Sequence, residues 1–396
     1  MKTARLYYDD AYCREFEASI VRVEDRGDVR AVWLDRTAFY PTSGGQPFDT
    51  GVLGGGAVIE VVDEDDDIVH VVRGETALAS GQRVHGAIDW ARRFDHMQQH
   101  TGQHILSAAI LRVAGVPTVS FHLGREAATI DLARELSPAE LTAAEGEANR
   151  AVWEDRLVSV RYAEADAAGA KGLRKPSVRS GTLRLVEIDG VDLSACGGSH
   201  VSRTGAVGVI VITSWERCKG GQRVEFLCGG RVVTGFRLQR DAVASSLRLL
   251  SVLPSELPAA IERLQGDLKE QQKAVGAARA ELASHRAEAL VRQAELRDGV
   301  RFVFHAAEGD AGDLKTLASA VVDRPGVVAV LASTGLPALV VVARSKDARA
   351  ACDQVVKALV TLFGGKGGGR PDFAQGGNLS ARADAILAQA RALVDG

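Results

Sequence analysis

The sequence predicts an α+β protein built in four successive parts, and three observations predict it. Short segments of alternating polarity fill the first 90 residues. A helical period sets in at Trp90 and gives way to more strand-like segments without strict βα alternation. Beyond Phe236 the chain turns long and helical before a last cluster of short apolar strands. The parts run 1–90 as a β-rich module of small-barrel type, 91–235 as an α+β domain, 236–297 as a helical, coiled-coil-like connector, and 298–396 as a compact α/β domain. A chain of 396 residues is too long for one compact core, which agrees with several domains.

In the first part Val29–Leu34, Val58–Val62, Ile68–Val72 and Arg83–Ile88 alternate apolar and polar residues between Gly, Asp and Ser clusters, the punctuation of a barrel or meander. The acidic tract Asp63–Asp67 reads as a solvated turn. In the second part a helix is expected over Arg92–Ala114, with Met97, Ile105, Ala108 and Leu111 at helical spacing and Gly115 and Pro117 as stops. Ser137-Pro138-Ala139-Glu140 has the form of a capping box with Pro at the first helical position, opening a helix to about Trp153. Strands follow near Leu157–Tyr162, Leu183–Ile188, Val207–Thr213 and Arg223–Cys228. In the third part Ile261, Leu264, Leu268, Val275 and Leu282 recur in steps of three, four or seven, as in a coiled coil or a helix lying on a neighbour. The fourth part offers strands at Val300–His305, Val327–Ala332 and Ala338–Ala343, a helix at Ala348–Phe363, the glycine run Gly364–Gly369, and a closing helix at Arg382–Val394 with Ser380 as its cap.

Apolar residues make up 46% and charged residues 25%, the balance of a soluble globular chain. No apolar run is long enough to span a bilayer, and the first ten residues carry acids and no signal-peptide core, so no membrane partner is expected. Five scattered cysteines argue against a disulfide framework and for the cytoplasm. Forty-eight basic against 51 acidic residues give a net charge of −3, so any grip on nucleic acid must be local, for example at Lys171, Arg174, Lys175, Arg179 and Arg184.

Two segments carry the chemistry. In Met97-Gln98-Gln99-His100-Thr101-Gly102-Gln103-His104 a spacing of four puts both imidazoles on one helical face, within reach of one metal ion. No Glu stands between them in the metalloprotease position. Asp192-Leu193-Ser194-Ala195-Cys196-Gly197-Gly198-Ser199-His200 is a compact loop in which glycines let Cys196 and His200 face one point. One thiolate with three imidazoles suits zinc. Four protein ligands would close a structural site, three would leave a catalytic position open, and the sequence leaves both readings standing. A third segment, Thr37–Gly51, is a Gly- and Pro-rich turn in which Thr37 and Gln46 offer hydrogen bonds and Ser43, Gly44 and Gly45 allow backbone amides to approach a ligand. Neither it nor the run 364–369 ends in the Lys-Ser/Thr of a phosphate loop.

The Phe39–Gln46 loop, His100-x-x-x-His104 and Cys196-Gly-Gly-Ser-His200 together resemble the editing domain of alanyl-tRNA synthetase and its free-standing relatives, the AlaX proteins. Cys218–Gly229 is similar to the same family, and Gly367–Gly377 resembles the closing motif of the C-terminal domain shared with DHH phosphoesterases, the arrangement of the long AlaX form. The resemblance implies that His100, His104, Cys196 and His200 are zinc ligands and that Thr37, Ser43, Gly44, Gly45 and Gln46 form the loop near the substrate. Within it Thr37 and Gln46 are expected to act in catalysis by reading the substrate hydroxyl and the developing oxyanion, while the glycine run with Lys366 and Arg370 is expected to approach tRNA phosphate. The resemblance implies a hydrolase that deacylates alanine tRNA mischarged with serine, or with glycine, and spares the alanyl ester. The family often has Gly at position 43 and Thr at 199, where this chain has Ser. Because the editing-like module begins at the N-terminus, deacylation without charging is expected. A homodimer through the connector or the C-terminal domain is a further expectation. The rival readings are a zinc hydrolase of small esters or amides, and a zinc-containing RNA-binding or regulatory protein without turnover.

Overall fold

The computed structural model describes residues 2–64, 67–74, 77–166, 172–175 and 181–394. They form two compact units, Met1–Ser246 and Leu247–Gly396.

The first unit opens with β1 (Ala4–Arg5) and a helical turn α1 (Leu6–Asp9). Then come β2 (Glu15–Arg26), β3 (Val29–Leu34), β4 (Arg36–Thr37), β5 (Gly51–Leu53), β6 (Gly56–Glu64), β7 (Asp67–Arg73) and β8 (Arg83–Ile88). Six of these strands pair in the ring β2-β3-β7-β6-β5-β8, which closes into a barrel. Closure follows from the period-2 pattern: in β2 and β8 alternate residues are buried, and Phe16, Ile20, Val32, Leu34, Phe39, Leu53, Val61, Ile68 and Val84 fill the interior. The sequence reading missed the long strand β2, whose second half is largely solvent-facing. The acidic tract does lie at the β6–β7 hairpin, with Asp65 and Asp66 outside the described residues, but Asp63 is paired with Arg5 through two hydrogen bonds of 2.7 and 2.8 Å.

Helix α2 (Trp90–Ala114) follows the barrel directly. The Asp89 side chain accepts the amide of Arg92 at its start, and left-handed Gly115 closes its end. It is buried on nearly every face from Arg93 to Ile110, so the expected amphipathic stripe is replaced by a helix enclosed in the core. Strands β9 (Thr118–Leu123) and β10 (Ala128–Leu132) form a hairpin that the sequence reading passed over. Helix α3 (Pro138–Trp153) carries the expected Ser137–Glu140 capping box. Next are β11 (Val158–Glu164), β12 (Thr182–Ile188), β13 (Asp192–Ala195), β14 (Ile210–Cys218) and β15 (Gly221–Cys228). An antiparallel sheet β14-β15-β10-β9 packs under α2 and α3 around Met97, Ile105, Leu106, Val224, Phe226 and Cys228, and β11-β12-β13 form a second, smaller sheet. Gly102 fits here because a methyl group on it would lie 2.2 Å from the Cys228 sulfur.

The stretch expected as one connector is two helices, α4 (Gly230–Leu250) and α5 (Leu257–Arg292), interrupted before Pro254. Ile261, Leu264, Leu268, Val275 and Leu282 of α5 are all exposed. The second unit adds β16 (Glu295–Arg297), β17 (Val300–Ala307), α6 (Ala311–Val322), β18 (Val327–Ser333), β19 (Ala338–Arg344), α7 (Cys352–Phe363), β20 (Lys366–Arg370), β21 (Phe373–Leu379) and α8 (Ala383–Val394). Its sheet has the order β16-β17-β18-β19-β21-β20, with β17 and β18 parallel across α6. Every residue of β18 is buried, as befits a strand covered on both faces. The glycine run is not a loop: Lys366–Arg370 is an exposed edge strand paired to β21. Among the described residues no helix is long and apolar enough to cross a membrane.

Inside the barrel His70 is wholly buried, and burial holds its pKa down to about 4 although the Val32 carbonyl pulls it the other way. Its Nδ1–H donates to Val32 O at 3.0 Å, so Nε2 accepts the Thr37 hydroxyl at 2.8 Å. Because the unfolded histidine binds a proton near pH 6.5 and the folded one only near 4, stability attributable to His70 is intact above pH 6.5 and falls as pH drops through that window, by about 3 kcal/mol in full. A His70→Gln variant should unfold in urea with a shallower loss of stability between pH 6.5 and 4.5 than the parent; equal slopes would show that the ring is not buried neutral.

Candidate metal centre

Four side chains converge from two segments. His100 and His104 stand one turn apart on α2, and Cys196 and His200 lie in the loop that leaves β13. One ligand atom from each falls within 4.8 Å of all the others. The Cys196 sulfur is 3.4 Å from Nε2 of both His100 and His200, against roughly 3.5 Å for the edge between a sulfur and a nitrogen on tetrahedral zinc. The group could therefore hold one metal ion, and the structure brings together all four residues singled out from the sequence.

Each imidazole is held from behind. His100 Nδ1 donates to Gln46 Oε1 at 2.9 Å, His104 Nδ1 to Asp192 Oδ2 at 2.8 Å, and His200 Nδ1 to Thr101 Oγ1 at 3.2 Å. In the tautomer that carries its single proton on Nδ1, each ring would turn its Nε2 lone pair to the centre, the pattern that orients histidine ligands in metal sites, and a metal ion would take the place of any proton on Nε2. Asp192 is in turn fixed by Arg174 Nε at 2.6 Å and by the Ser194 hydroxyl at 2.8 Å. Burial alone would lift the Cys196 thiol, but the neighbouring imidazoles of His100 and His200 hold it well below the ordinary thiol range. Burial opposes a proton on His104, yet Asp192 and Cys196 raise it to about 9, while burial lowers His200 to about 3. A thiolate beside imidazoles is a donor set ready for a soft-to-borderline divalent cation.

The third segment meets the cluster through a tight turn. Ser43 and Gln46 exchange two backbone hydrogen bonds of 3.0 and 2.9 Å, and Gly44 and Gly45 both have positive φ, the requirement of a two-residue type I′ turn. The turn rests on β9: Leu123 N donates to Gly45 O at 3.1 Å, and a methyl on Gly45 would meet Phe121 O at 2.9 Å. The Phe121 ring lies 5.3 Å from that of His100. Besides His100, Gln46 accepts from Ser199 N at 3.1 Å and donates to the Ser199 hydroxyl at 2.8 Å, so it joins both halves of the cluster. Thr37 is placed differently. Its hydroxyl donates to His70 and accepts the Phe39 amide at 3.1 Å, and none of its hydrogen bonds goes to the cluster or to Gln46. Arg370, in the second unit, faces Asp372 at 3.4 Å.

Several groups that hold the site escaped the sequence reading. Arg93 and Asp49 form an ion pair with no solvent exposure on either side chain. Arg184 donates to the carbonyls of Cys196 at 2.8 Å and Gly198 at 3.0 Å, and Arg174 holds Asp192, so these members of the basic stretch brace the loop. Lys171 and Arg179 lie outside the described residues. A usable signal was present for Thr101 and Asp192, polar residues set next to His100 and four before Cys196.

Gly198 leaves no room for a side chain: a methyl there would stand 2.1 Å from His100 Cε1 and 3.2 Å from Gln46 Oε1. Gly198→Ala is expected to leave the helical circular dichroism in place while lowering divalent-metal affinity by about 10-fold or more, the scale found when a ligand's support is disturbed. Unchanged metal affinity by competition with a chromogenic chelator would contradict this geometry.

Known proteins resemble this chain. The family profile described as "tRNA synthetases class II (A)" matches residues 6–92, and that described as "Threonyl and Alanyl tRNA synthetase second additional domain" matches residues 183–225. An alanine–tRNA ligase of Pyrococcus abyssi is 34% identical over 95% of this chain and 42% of the ligase, and one of Methanoregula boonei is 36% identical over 95% and 41%. The chain thus spans about two fifths of the length of these ligases. The solved C-Ala domain of Aquifex aeolicus alanyl-tRNA synthetase covers 26% of this chain and 98% of its own, at 22% identity and a TM-score of 0.24. The alanyl-tRNA editing protein AlaX-L of Pyrococcus horikoshii is 31% identical over 94% of both chains. With that match running nearly end to end, this chain belongs to the family of the alanyl-tRNA editing protein AlaX-L.

Proposed function

We propose that this protein is an aminoacyl-tRNA deacylase: it hydrolyses the ester that joins serine, or glycine, to alanine tRNA, and it spares the alanyl ester. The convergence of three imidazoles and one thiolate, with Gln46 of a separate loop seated on His100, carries this reading. The donor set suits zinc, held by His100, His104, Cys196 and His200. Zinc bound there would supply Lewis acidity toward the ester or its attacking water.

The residues of the chain then have separate tasks. Asp192, Thr101 and Gln46 orient the imidazoles and keep their Nε2 atoms turned inward. Gln46 is in this account a positioning residue acting through His100. Thr37 would need its hydroxyl to exchange His70 for substrate to play the catalytic role expected for it. The amides of Ser43 and Gln46 are engaged with each other across the turn, so the amides that could read a substrate hydroxyl are those of Gly44 and Gly45. Such a site completes a division of labour. A charging pocket sized for alanine cannot exclude glycine or reject serine strongly. A second site built to bond the serine hydroxyl would select serine and reject esters that lack it, alanyl and glycyl alike, by on the order of 10⁴, so removal of glycine would need a site that discriminates by size instead.

Zinc-loaded protein incubated with seryl-, glycyl- and alanyl-esters of alanine tRNA should release serine or glycine and leave the alanyl ester intact, and His104→Ala should abolish the release. Four protein ligands favour a second reading, in which zinc is structural and the protein binds RNA without turnover. Intact esters throughout, from folded protein with one bound zinc, would establish that second reading instead.

The second unit would hold the body of the tRNA. All five residues of β20 are exposed, so its glycine backbone and the cations of Lys366 and Arg370 can approach phosphates. The homodimer expected from the helical stretch would rest on the exposed apolar positions of α5. Replacing Lys366 and Arg370 together by Glu is expected to weaken binding of whole alanine tRNA and reduce the slope of log K against log salt by about 2. An unaltered slope in filter binding would remove β20 from the RNA interface.

A further inference from the structure

His70 is a buried titratable group to which the metal centre gives no task. It stands in β7 inside the barrel, where Val32 and Val61 flank it on the neighbouring strands and the Phe39 ring meets it edge-on, with 5.6 Å between ring centres. An apolar side chain would fill that place without a desolvation penalty, whereas an imidazole there needs partners for both nitrogens. It has them, and they run in one direction. The Val32 carbonyl can only accept, so Nδ1 carries the proton at 3.0 Å from it and Nε2 is left as an acceptor. The Thr37 hydroxyl, 2.8 Å from Nε2, must then give its single proton to the ring. Of the two lone pairs on the Thr37 oxygen, one takes the Phe39 amide at 3.1 Å. One lone pair remains.

Thr37 is also the last residue of β4 before the loop that carries Gln46. That loop is held toward the metal centre from its first residues: Arg93 donates to the Ala38 carbonyl, and the Tyr40 hydroxyl donates to Ser43 O at 3.2 Å. Burial, and after it the Cys196 thiolate, keeps the Tyr40 hydroxyl protonated, so this stretch faces the donor set. What Thr37 can do there follows from where its proton is. Stabilising a developing oxyanion would take that proton away from His70, while accepting a hydrogen from a ligand would not. We propose that His70 is a positioning residue for the deacylase reaction: it holds the Thr37 proton, so that Thr37 meets the site as a hydrogen-bond acceptor and the charge on the ester oxygen is left to other donors. The identity of the ester rests on the deacylase reading, whereas the direction of the His70–Thr37 bond does not.

That direction is read first, by nitrogen NMR of the zinc-loaded full chain labelled at histidine, at neutral pH. His70 should show a protonated Nδ1 and a bare, hydrogen-bonded Nε2, and Thr37→Val should shift Nε2 toward the value of an unbonded ring nitrogen. Hydrolysis of the seryl ester of alanine tRNA is read second. A contact made equally before and during reaction gives uniform binding, so Thr37→Val should raise KM by about 3- to 10-fold, the worth of one hydrogen bond, with kcat within about twofold. His70→Leu, which frees the Thr37 hydroxyl to rotate, should move KM the same way, and the double variant should be no worse than Thr37→Val. His70→Gln should recover most of the loss, because the Val32 carbonyl draws its amide nitrogen and leaves its oxygen toward Thr37. Zinc content should not change in any of them.

A proton found on Nε2 overturns the proposal, since Thr37 would then accept from the ring and be free to donate. So does a Thr37→Val loss that falls on kcat with KM unchanged, a Thr37→Val enzyme with the parent's constants, or a double variant whose loss is the product of the two single losses. If His70→Leu does not fold, the nitrogen spectrum and Thr37→Val decide. A parent that leaves the seryl ester intact removes the deacylase reading, and a proton on Nδ1 then still upholds Thr37 as an acceptor.

Discussion

The fully buried pair of Arg93 and Asp49 is the constraint on which the rest of the first unit depends. Arg93 sits on α2, seven positions before His100 in the chain, and Asp49 sits in the segment after the Ser43–Gln46 turn. Besides Asp49, the guanidinium donates to the carbonyls of Ala11 at 2.9 Å and Ala38, while Asp49 also accepts the Tyr40 amide at 2.7 Å. One ion pair thus ties the N-terminal segment, both ends of the loop that carries Gln46, and the helix that carries two imidazoles. Removing one partner of such a pair leaves an uncompensated charge in the core, at about 3–5 kcal/mol. The pair does not touch the metal cluster, yet it fixes the distance over which Gln46 must reach His100.

That arrangement divides the site into a rigid centre and an adjustable rim. Around the centre every imidazole has an acceptor behind it, and the acceptors are themselves held by Arg174, Ser194 and the amides of Ser199 and Val201. The rim is the two-glycine turn between Ser43 and Gln46, which rests on β9. On the deacylase reading, selectivity for the amino acid would lie in the rim and could change without disturbing the donor set, because the Ser43 and Gln46 amides that shape the turn are not the ones exposed at its tip.

How much of this was legible in the sequence depends on whether the cause was local. The capping box at Ser137, the strands Val29–Leu34 and Arg83–Ile88 and the i,i+4 pair of histidines are set by residues a few positions apart, and the structure has them as read. The four converging side chains were also legible, because each pair is short and chemically distinctive. Helix α2 was found but its burial on all faces was not, since polar residues such as Gln99, Thr101 and Gln103 look solvent-facing until their partners across the fold are known. The Arg93–Asp49 pair, Asp192 behind His104 and the pairing of β20 with β21 all join positions whose partnership no local pattern encodes. The glycine run gave no sign of a strand for a physical reason: glycines usually loosen a chain, but an edge strand can carry three glycines in five residues when its partner strand supplies the packing.

Cys196 and His100 stand 96 positions apart, and their ring-to-sulfur contact has a consequence in time. At the ordinary pace of synthesis the second pair of donors leaves the ribosome about 5–20 s after the first. Through that interval a metal ion meets only two imidazoles on a nascent helix, a weak and exchangeable hold. Were the four donors to hold an ion, firm coordination would come only once the loop after β13 had docked, so possession of the ion would mark a chain whose first unit has folded.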